Sequence, residues 1–130
     1  MKYVDVNVLV YWLADDPQFG QRATDIVKRI ENGEAAATST LTIWLTHVVL
    51  SSLAVRYSTQ EMLNRLTELA FLKTEPLLQD DFTQATAHMA QYGLDLEDSL
   101  HFATALRLGI TEIYTFDTDF TRTPLRVVSR

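Results

Sequence analysis

Two rhythms of apolar and polar residues run through this chain, one suited to buried strands and the other to helices that cover them. Met1 to Val6 reads as a first strand, followed by a short helix to about Ala14. Asp15-Asp16-Pro17 forms a turn, and Pro17 suits the first position of the next helix. From Gln18 to Asn32 the apolar positions Ala23, Ile26, Val27 and Ile30 recur on one helical face, and Asn32-Gly33 ends the run. Ala35 to Thr38 is a weak second strand, and Ser39 or Thr40 caps a helix expected to reach about Tyr57. Ser58 or Thr59 caps another helix with Glu61 and Met62 in its first turn. A third strand from Phe71 to Glu75 leads to helices at Gln79 to Gln91 and Glu97 to Leu108, stopped by Gly93 and Gly109. Ile113 to Phe116 gives a fourth strand and Leu125 to Val128 a fifth. Strands alternating with helical segments predict an α/β fold, a three-layer sandwich around a parallel sheet of four to five short strands.

Composition narrows this picture. The chain has 130 residues, no linker or repeat, and only 4 Gly and 3 Pro, which predicts one domain with its own core. Without cysteine there is no disulfide, zinc-thiolate site or cysteine nucleophile, as suits a reducing compartment. Asp5 so near the start argues against a secretory signal. The apolar stretch Leu41 to Val55 is too short and too polar for a membrane span, so a cytoplasmic protein is expected. The net charge of −6 counts against nucleic-acid binding by a general basic coat. It leaves room for a nucleic-acid enzyme whose cations are bound or local.

The chemistry lies in three acidic motifs placed far apart. Asp5 follows the first strand, Asp98 opens an apolar helix, and Asp117 and Asp119 follow the fourth strand. Each has a simple alternative, since an aspartate at a helix start often only caps it. His101, one turn after Asp98, reads as a packing histidine, and neither His47 nor His88 has ligand spacing to it. In an open α/β sheet, however, the carboxyl ends of the strands form the ligand crevice. Carboxylates converging there repel one another unless a cation intervenes, and oxygen-only donors suit Mg²⁺ or Mn²⁺. The matching chemistry is metal-assisted phosphodiester hydrolysis. In that reading Asp117 is preferred as ligand, and Asp119 binds through water or caps the next turn.

Four segments carry a family resemblance over nearly the whole chain: Val4-Asp5-Val6-Asn7-Val8-Leu9, Ser39-Thr40-Leu41-Thr42, Asp98-Ser99-Leu100-His101-Phe102-Ala103-Thr104-Ala105, and Ile113-Tyr114-Thr115-Phe116-Asp117-Thr118-Asp119-Phe120. Together they resemble the PIN domain family, and within it the small VapC-like toxin ribonucleases. The resemblance implies an endoribonuclease acting on RNA through metal-activated water, with Mg²⁺ or Mn²⁺ as cofactor. It also implies homodimers and inhibition by a VapB-like antitoxin. Matched by motif, Asp5, Asp98 and Asp117 take the catalytic metal-binding positions, with Asp119 as a fourth. Asn7 and Ser39 match polar positions that flank the site.

The chain departs from that family at one acid. Where a glutamate is usual in the helix after the second strand, Leu45 stands here, and no acid occurs between Glu34 and Glu61. Thr46 or His47 would have to face differently to replace it, since one residue turns a helical side chain by about 100°. Val6 also occupies a position where a hydroxyl residue is common. The departure motivates a second reading, a catalytically weakened PIN-like module that binds RNA or protein. A third reading, phosphoryl transfer on Asp5, needs a lysine near the phosphate, and Lys2, Lys28 and Lys73 are badly placed for it. Apolar residues on the Leu41–Leu53 and Met62–Phe71 helices suit either a dimer face or the core.

Overall fold

The computed structural model describes residues 1–54 and 57–130. The central sheet is parallel throughout, in the order β3-β2-β1-β4-β5: β1 Lys2–Val4, β2 Ala36–Ser39, β3 Leu72–Glu75, β4 Glu112–Tyr114 and β5 Arg126–Val128. Six α-helices among the described residues cover it: α1 Val6–Ala14, α2 Gly20–Glu31, α3 Thr40–Ser52, α4 Thr59–Thr67, α5 Gln79–Tyr92 and α6 Leu96–Arg107. A short 3-10 helix, Thr118–Arg122, joins β4 to β5.

Side chains alternate across each strand, so adjacent residues feed opposite cores. Val4, Ala36 and Tyr114 pack with Leu9, Ile26, Ile30 and Leu50 on the α1–α4 face. Their neighbours Tyr3, Ala37 and Ile113 pack with Phe102, Ala105 and Phe120 on the other. Each fully buried aliphatic or aromatic side chain contributes about 1.5–3 kcal/mol. The parallel α/β/α sandwich expected from the sequence is therefore the observed architecture.

Several boundaries differ from the sequence expectation, for local reasons. The first strand stops at Val4 instead of Val6, because the Asp5 carboxylate accepts the Val6 amide at 2.7 Å and starts α1 there. Pro17 does not open α2. The Asp16 side chain accepts the amides of Gln18 and Phe19, which holds a turn until Gly20. Helix α3 ends at Ser52; of the segment expected to carry it to Tyr57, Val55 and Arg56 lie outside the described residues. Helix α6 begins at Leu96, and its cap is Asp95, whose carboxylate accepts the Asp98 amide at 2.8 Å.

The sheet order places the site. From β1 the chain steps outward to β2 and β3, then crosses back to β4 on the other side of β1. The carboxyl ends of β1 and β4 therefore flank a topological switch point, where the helices diverge and leave a crevice.

Candidate metal centre

Asp5, Asp98 and Asp117 line one cavity at that switch point, with Asn7, Tyr11 and Glu97 and an apolar wall that includes Val10 and Val49. Asp5 sits at the end of β1, its amide bonded to the Tyr114 carbonyl of β4 at 3.0 Å. It is buried, and Thr115 donates to its second carboxylate oxygen at 2.7 Å. Thr115 also accepts from the Asn7 side-chain amide at 3.3 Å and from the Asp117 amide at 3.0 Å. Asn7 in turn accepts the Phe116 amide at 3.3 Å. This one hydroxyl thus fixes Asp5, Asn7 and Asp117 relative to one another.

The simple capping alternatives divide between residues. At α6 the cap is Asp95, so the Asp98 carboxylate is free to face the cavity. Asp117 caps the 3-10 helix through the Asp119 amide at 2.8 Å, and Asp119 pairs with Arg122 at 2.8 Å. Asp98, Asp117 and Asp119 nevertheless each present a ligand atom within 4.8 Å of the others. Asp5 is not one of this trio; it shares the cavity with Asp98 and Asp117, whereas Asp119 does not line it. Ser39 is spent differently: its buried hydroxyl caps α3 through the Thr42 amide at 3.4 Å, and it does not line the cavity.

Sequence reasoning gave no role to Glu97 or Thr115. Glu97 was the mere neighbour of Asp98, yet it lines the cavity with its side chain half exposed. His101 is wholly buried, with Nδ1 at 2.7 Å from the Tyr3 hydroxyl. Its Nε2 has no hydrogen-bond partner among the described residues and lies 3.7 Å from Asp5 and 3.9 Å from Glu97. Burial opposes charge on this imidazole, but Tyr3, Glu97 and Asp5 outweigh it and raise its pKa. It packs, as expected, and it also draws two acids toward one point.

On α3, the gap left by Leu45 is not refilled locally. Leu45 packs against the core, and Val49, one turn on, is the α3 residue that reaches the cavity. Thr46 donates to the Thr42 carbonyl at 2.7 Å, and His47 lies beside Trp44 with ring centroids 5.8 Å apart.

The donor set fits a hard divalent cation. Among the described residues the cluster holds carboxylate oxygens only, with no histidine or cysteine in it. Burial raises the Asp5 pKa. Asp98 is pushed up to about 7 by burial and by the charges of Asp95, Asp117 and Asp5. A cation would relieve that repulsion. An unfolded aspartate titrates near 3.9, so between there and about 7 the folded, metal-free chain holds a proton on Asp98 that the unfolded chain releases. Stability must fall as pH rises through this window. Urea melts without metal, from about pH 5 to 7.5, should show wild type losing stability relative to Asp98→Asn, which lacks the titration. Mn²⁺ affinity should rise with pH up to about 7 and then level off, because binding displaces the same proton. Parallel pH profiles for the two proteins would contradict this.

The comparisons agree with the fold. The chain is similar to a toxin–antitoxin complex from Klebsiella pneumoniae, with TM-score 0.73, 20% identity and coverage of 99% of this chain and 97% of that one. It is similar to Mycobacterium tuberculosis VapC20, described as a sarcin-ricin loop cleaving toxin, with TM-score 0.72, 18% identity and 93% of each chain covered. Neisseria gonorrhoeae FitAcB aligns with TM-score 0.70 at 18% identity, over 99% of this chain and 97% of that one. At these identities the likeness is one of fold. None of the curated proteins compared with the chain matches it significantly. The PIN domain family model, however, matches residues 2–125, and the chain belongs to that family.

Proposed function

We propose that this protein is a Mg²⁺- or Mn²⁺-dependent endoribonuclease, the toxin of a toxin–antitoxin pair. The observation that carries the reading is the convergence of Asp5, Asp98 and Asp117 in one cavity at the carboxyl ends of β1 and β4. Asp5, Asp98 and Asp117 would hold the metal, with Asp119 beside them and Glu97 at the cavity mouth. When bound, such an ion stabilises negative charge on a phosphodiester and makes its water a better nucleophile. The protein's own residues do the positioning. Thr115 and Asn7 lock the orientation of Asp5, His101 offsets its charge, and Val10 and Val49 keep one wall of the cavity dry. RNA as substrate and a VapB-like antitoxin as partner are supported by neighbours whose names describe a loop-cleaving toxin and toxin–antitoxin complexes. Exposed Trp44, Val48 and Leu63 on α3 and α4 offer a face for a homodimer. Among the described residues no helix is long and apolar enough to cross a membrane, in keeping with a cytoplasmic site of action.

One observation favours the second reading, a weakened module: Leu45, partly buried, packs against the core where the family usually has an acid. Glu97 argues the other way, because it raises the carboxylates lining the cavity to four. Cleavage of a labelled single-stranded RNA with Mn²⁺, with chelator, and by Leu45→Glu separates the two. The proposal expects cleavage that chelator abolishes and that Leu45→Glu raises by less than about tenfold, below the 10- to 100-fold range of partners that only support a metal. A silent wild type rescued by Leu45→Glu would establish the weakened module instead. Chelator-resistant cleavage would refute both.

A further inference from the structure

A second groove adjoins the acidic cavity, and it brings a guanidinium to the edge of the acids. It lies between the start of α2 and the segment after β4, and Asp117 lines both spaces. Arg22 of α2 lies over Phe19 and over Phe116, with the guanidinium carbon 5.2 Å from each ring centroid. The rings themselves are 5.1 Å apart, and Tyr11, which lines the acidic cavity, packs on both at 5.1 and 5.7 Å. The aromatic cluster therefore runs from the carboxylates to the guanidinium without a break.

Among the described residues Arg22 has no ion pair and no hydrogen bond to another side chain. Acids outnumber bases 17 to 11 in this chain, and Arg29, Arg65, Arg107, Arg122 and Arg126 all have polar partners. Stacking on ring faces holds a guanidinium in place without using its N–H donors. What remains is a fixed planar fork of five donors, the shape that recognises a phosphate through two parallel hydrogen bonds. Thr118 and Ser129 add hydroxyls to the same groove.

We propose that this groove is a phosphate subsite for single-stranded RNA, in which Arg22 binds the backbone phosphate next to the bond being cleaved and the Phe19–Phe116–Tyr11 cluster carries the strand toward the acids. The inference rests on the ribonuclease reading and adds to it a direction for the substrate. It also explains how a protein of net charge −6 engages a polyanion: the attraction is one placed guanidinium plus the site's metal, instead of a basic surface.

The test uses Arg22→Gln and Arg22→Lys in the full chain, with Asp98→Asn as reference. Steady-state cleavage of a labelled single-stranded RNA should show KM raised about tenfold in Arg22→Gln, the usual scale for a lost charge-assisted hydrogen bond, with kcat changed less than about twofold. Fluorescence anisotropy of the same RNA on the Asp98→Asn background should show a matching loss of affinity. The slope of log affinity against log salt should flatten by about 0.7, the single-strand value for one phosphate contact. Arg22→Lys should restore the slope, since the charge remains, while recovering only part of the affinity because the planar fork is gone. If the wild type cleaves RNA and Arg22→Gln leaves KM and the salt slope unchanged, the subsite is refuted and the ribonuclease stands. If the wild type binds RNA with the Arg22-dependent slope but never cleaves it, the subsite stands and the ribonuclease falls. A wild type that neither binds nor cleaves overturns both.

Discussion

Asp98→Asn should lower RNA cleavage by at least about 100-fold, above the 10- to 100-fold cost of losing a group that merely supports a metal ligand. The variant keeps the shape of the side chain and removes its charge. It also spares the local structure, because Asp95 caps α6 through the Asp98 backbone amide and not through the Asp98 carboxylate. Asp5→Asn would be a poorer probe. The Asp5 carboxylate starts α1 and accepts the Thr115 hydroxyl, so its loss mixes chemistry with folding. At position 98 the two effects run in opposite directions. The crowded charge that burial and Asp95 push toward neutrality is a cost to the metal-free fold. The asparagine variant should therefore match or exceed the wild type in urea resistance at about pH 7.5 while losing activity. Retained cleavage would remove Asp98 from the site. Lost cleavage with an unfolded protein would leave the assignment to the Mn²⁺ titration.

Asp81→Asn should be the most destabilising conservative change in the chain, by about 3 kcal/mol, the lower end for breaking a buried pair. That corresponds to a fall in Tm of about 10 °C for a domain of this size. Asp81 is buried in the first turn of α5, where its carboxylate accepts Arg107 Nε at 2.9 Å and Nη2 at 3.0 Å. It also accepts the Leu78 amide at 2.9 Å, which starts the helix. Asparagine can accept on one side only and faces the guanidinium with an amide. Arg107 remains a quarter exposed, so water softens the loss. Burial alone would raise the Asp81 carboxyl, but its bonds to Arg107 and to the Leu78 amide hold it below the usual carboxylate range. Its stabilisation is therefore complete above the unfolded value near 3.9 and is lost as pH falls through the lower folded value. Asp81→Asn should flatten that acid limb in thermal melts taken across it. Because this pair clamps α5 to α6, the helix that carries Asp98, the variant should also weaken Mn²⁺ binding. A Tm within about 2 °C of wild type would dismiss the clamp.

What could be read in advance follows from where the physics is local. The alternation of strands and helices reports burial residue by residue, so the parallel sheet and its helical cover were visible before any geometry. Acids at strand ends were visible for the same reason, since Asp5 and Asp117 interrupt apolar runs. Ends of elements were harder, because single side chains decide them. The Asp16 carboxylate delays α2 past Pro17, and Asp95, not Asp98, caps α6. Groups that act across the fold were not visible at all. Thr115 is one hydroxyl among many until β4 lies beside β1, and Glu97 looks like solvent-facing charge until α6 docks over the crevice. Arg22 owes its character to two rings far apart in sequence. The departure at Leu45 was legible as a missing charge, but that Val49 is the α3 residue lining the cavity required the packing.

The parallel pairing of β1 with β4 has a consequence for synthesis. Asp5 is synthesised 110 residues before Thr115, which orients it, and Asp117, which shares its cavity, comes later still. A chain interrupted anywhere before β4 carries the first acid without its hydroxyl partner, its opposing carboxylate or the second aromatic face for Arg22. Fragments from translation stalled before β4 should therefore be inert, and whatever chemistry this site performs begins only once β4 and the segment after it have been made. For an activity of the kind proposed above, that ordering delays its onset until the folded domain exists.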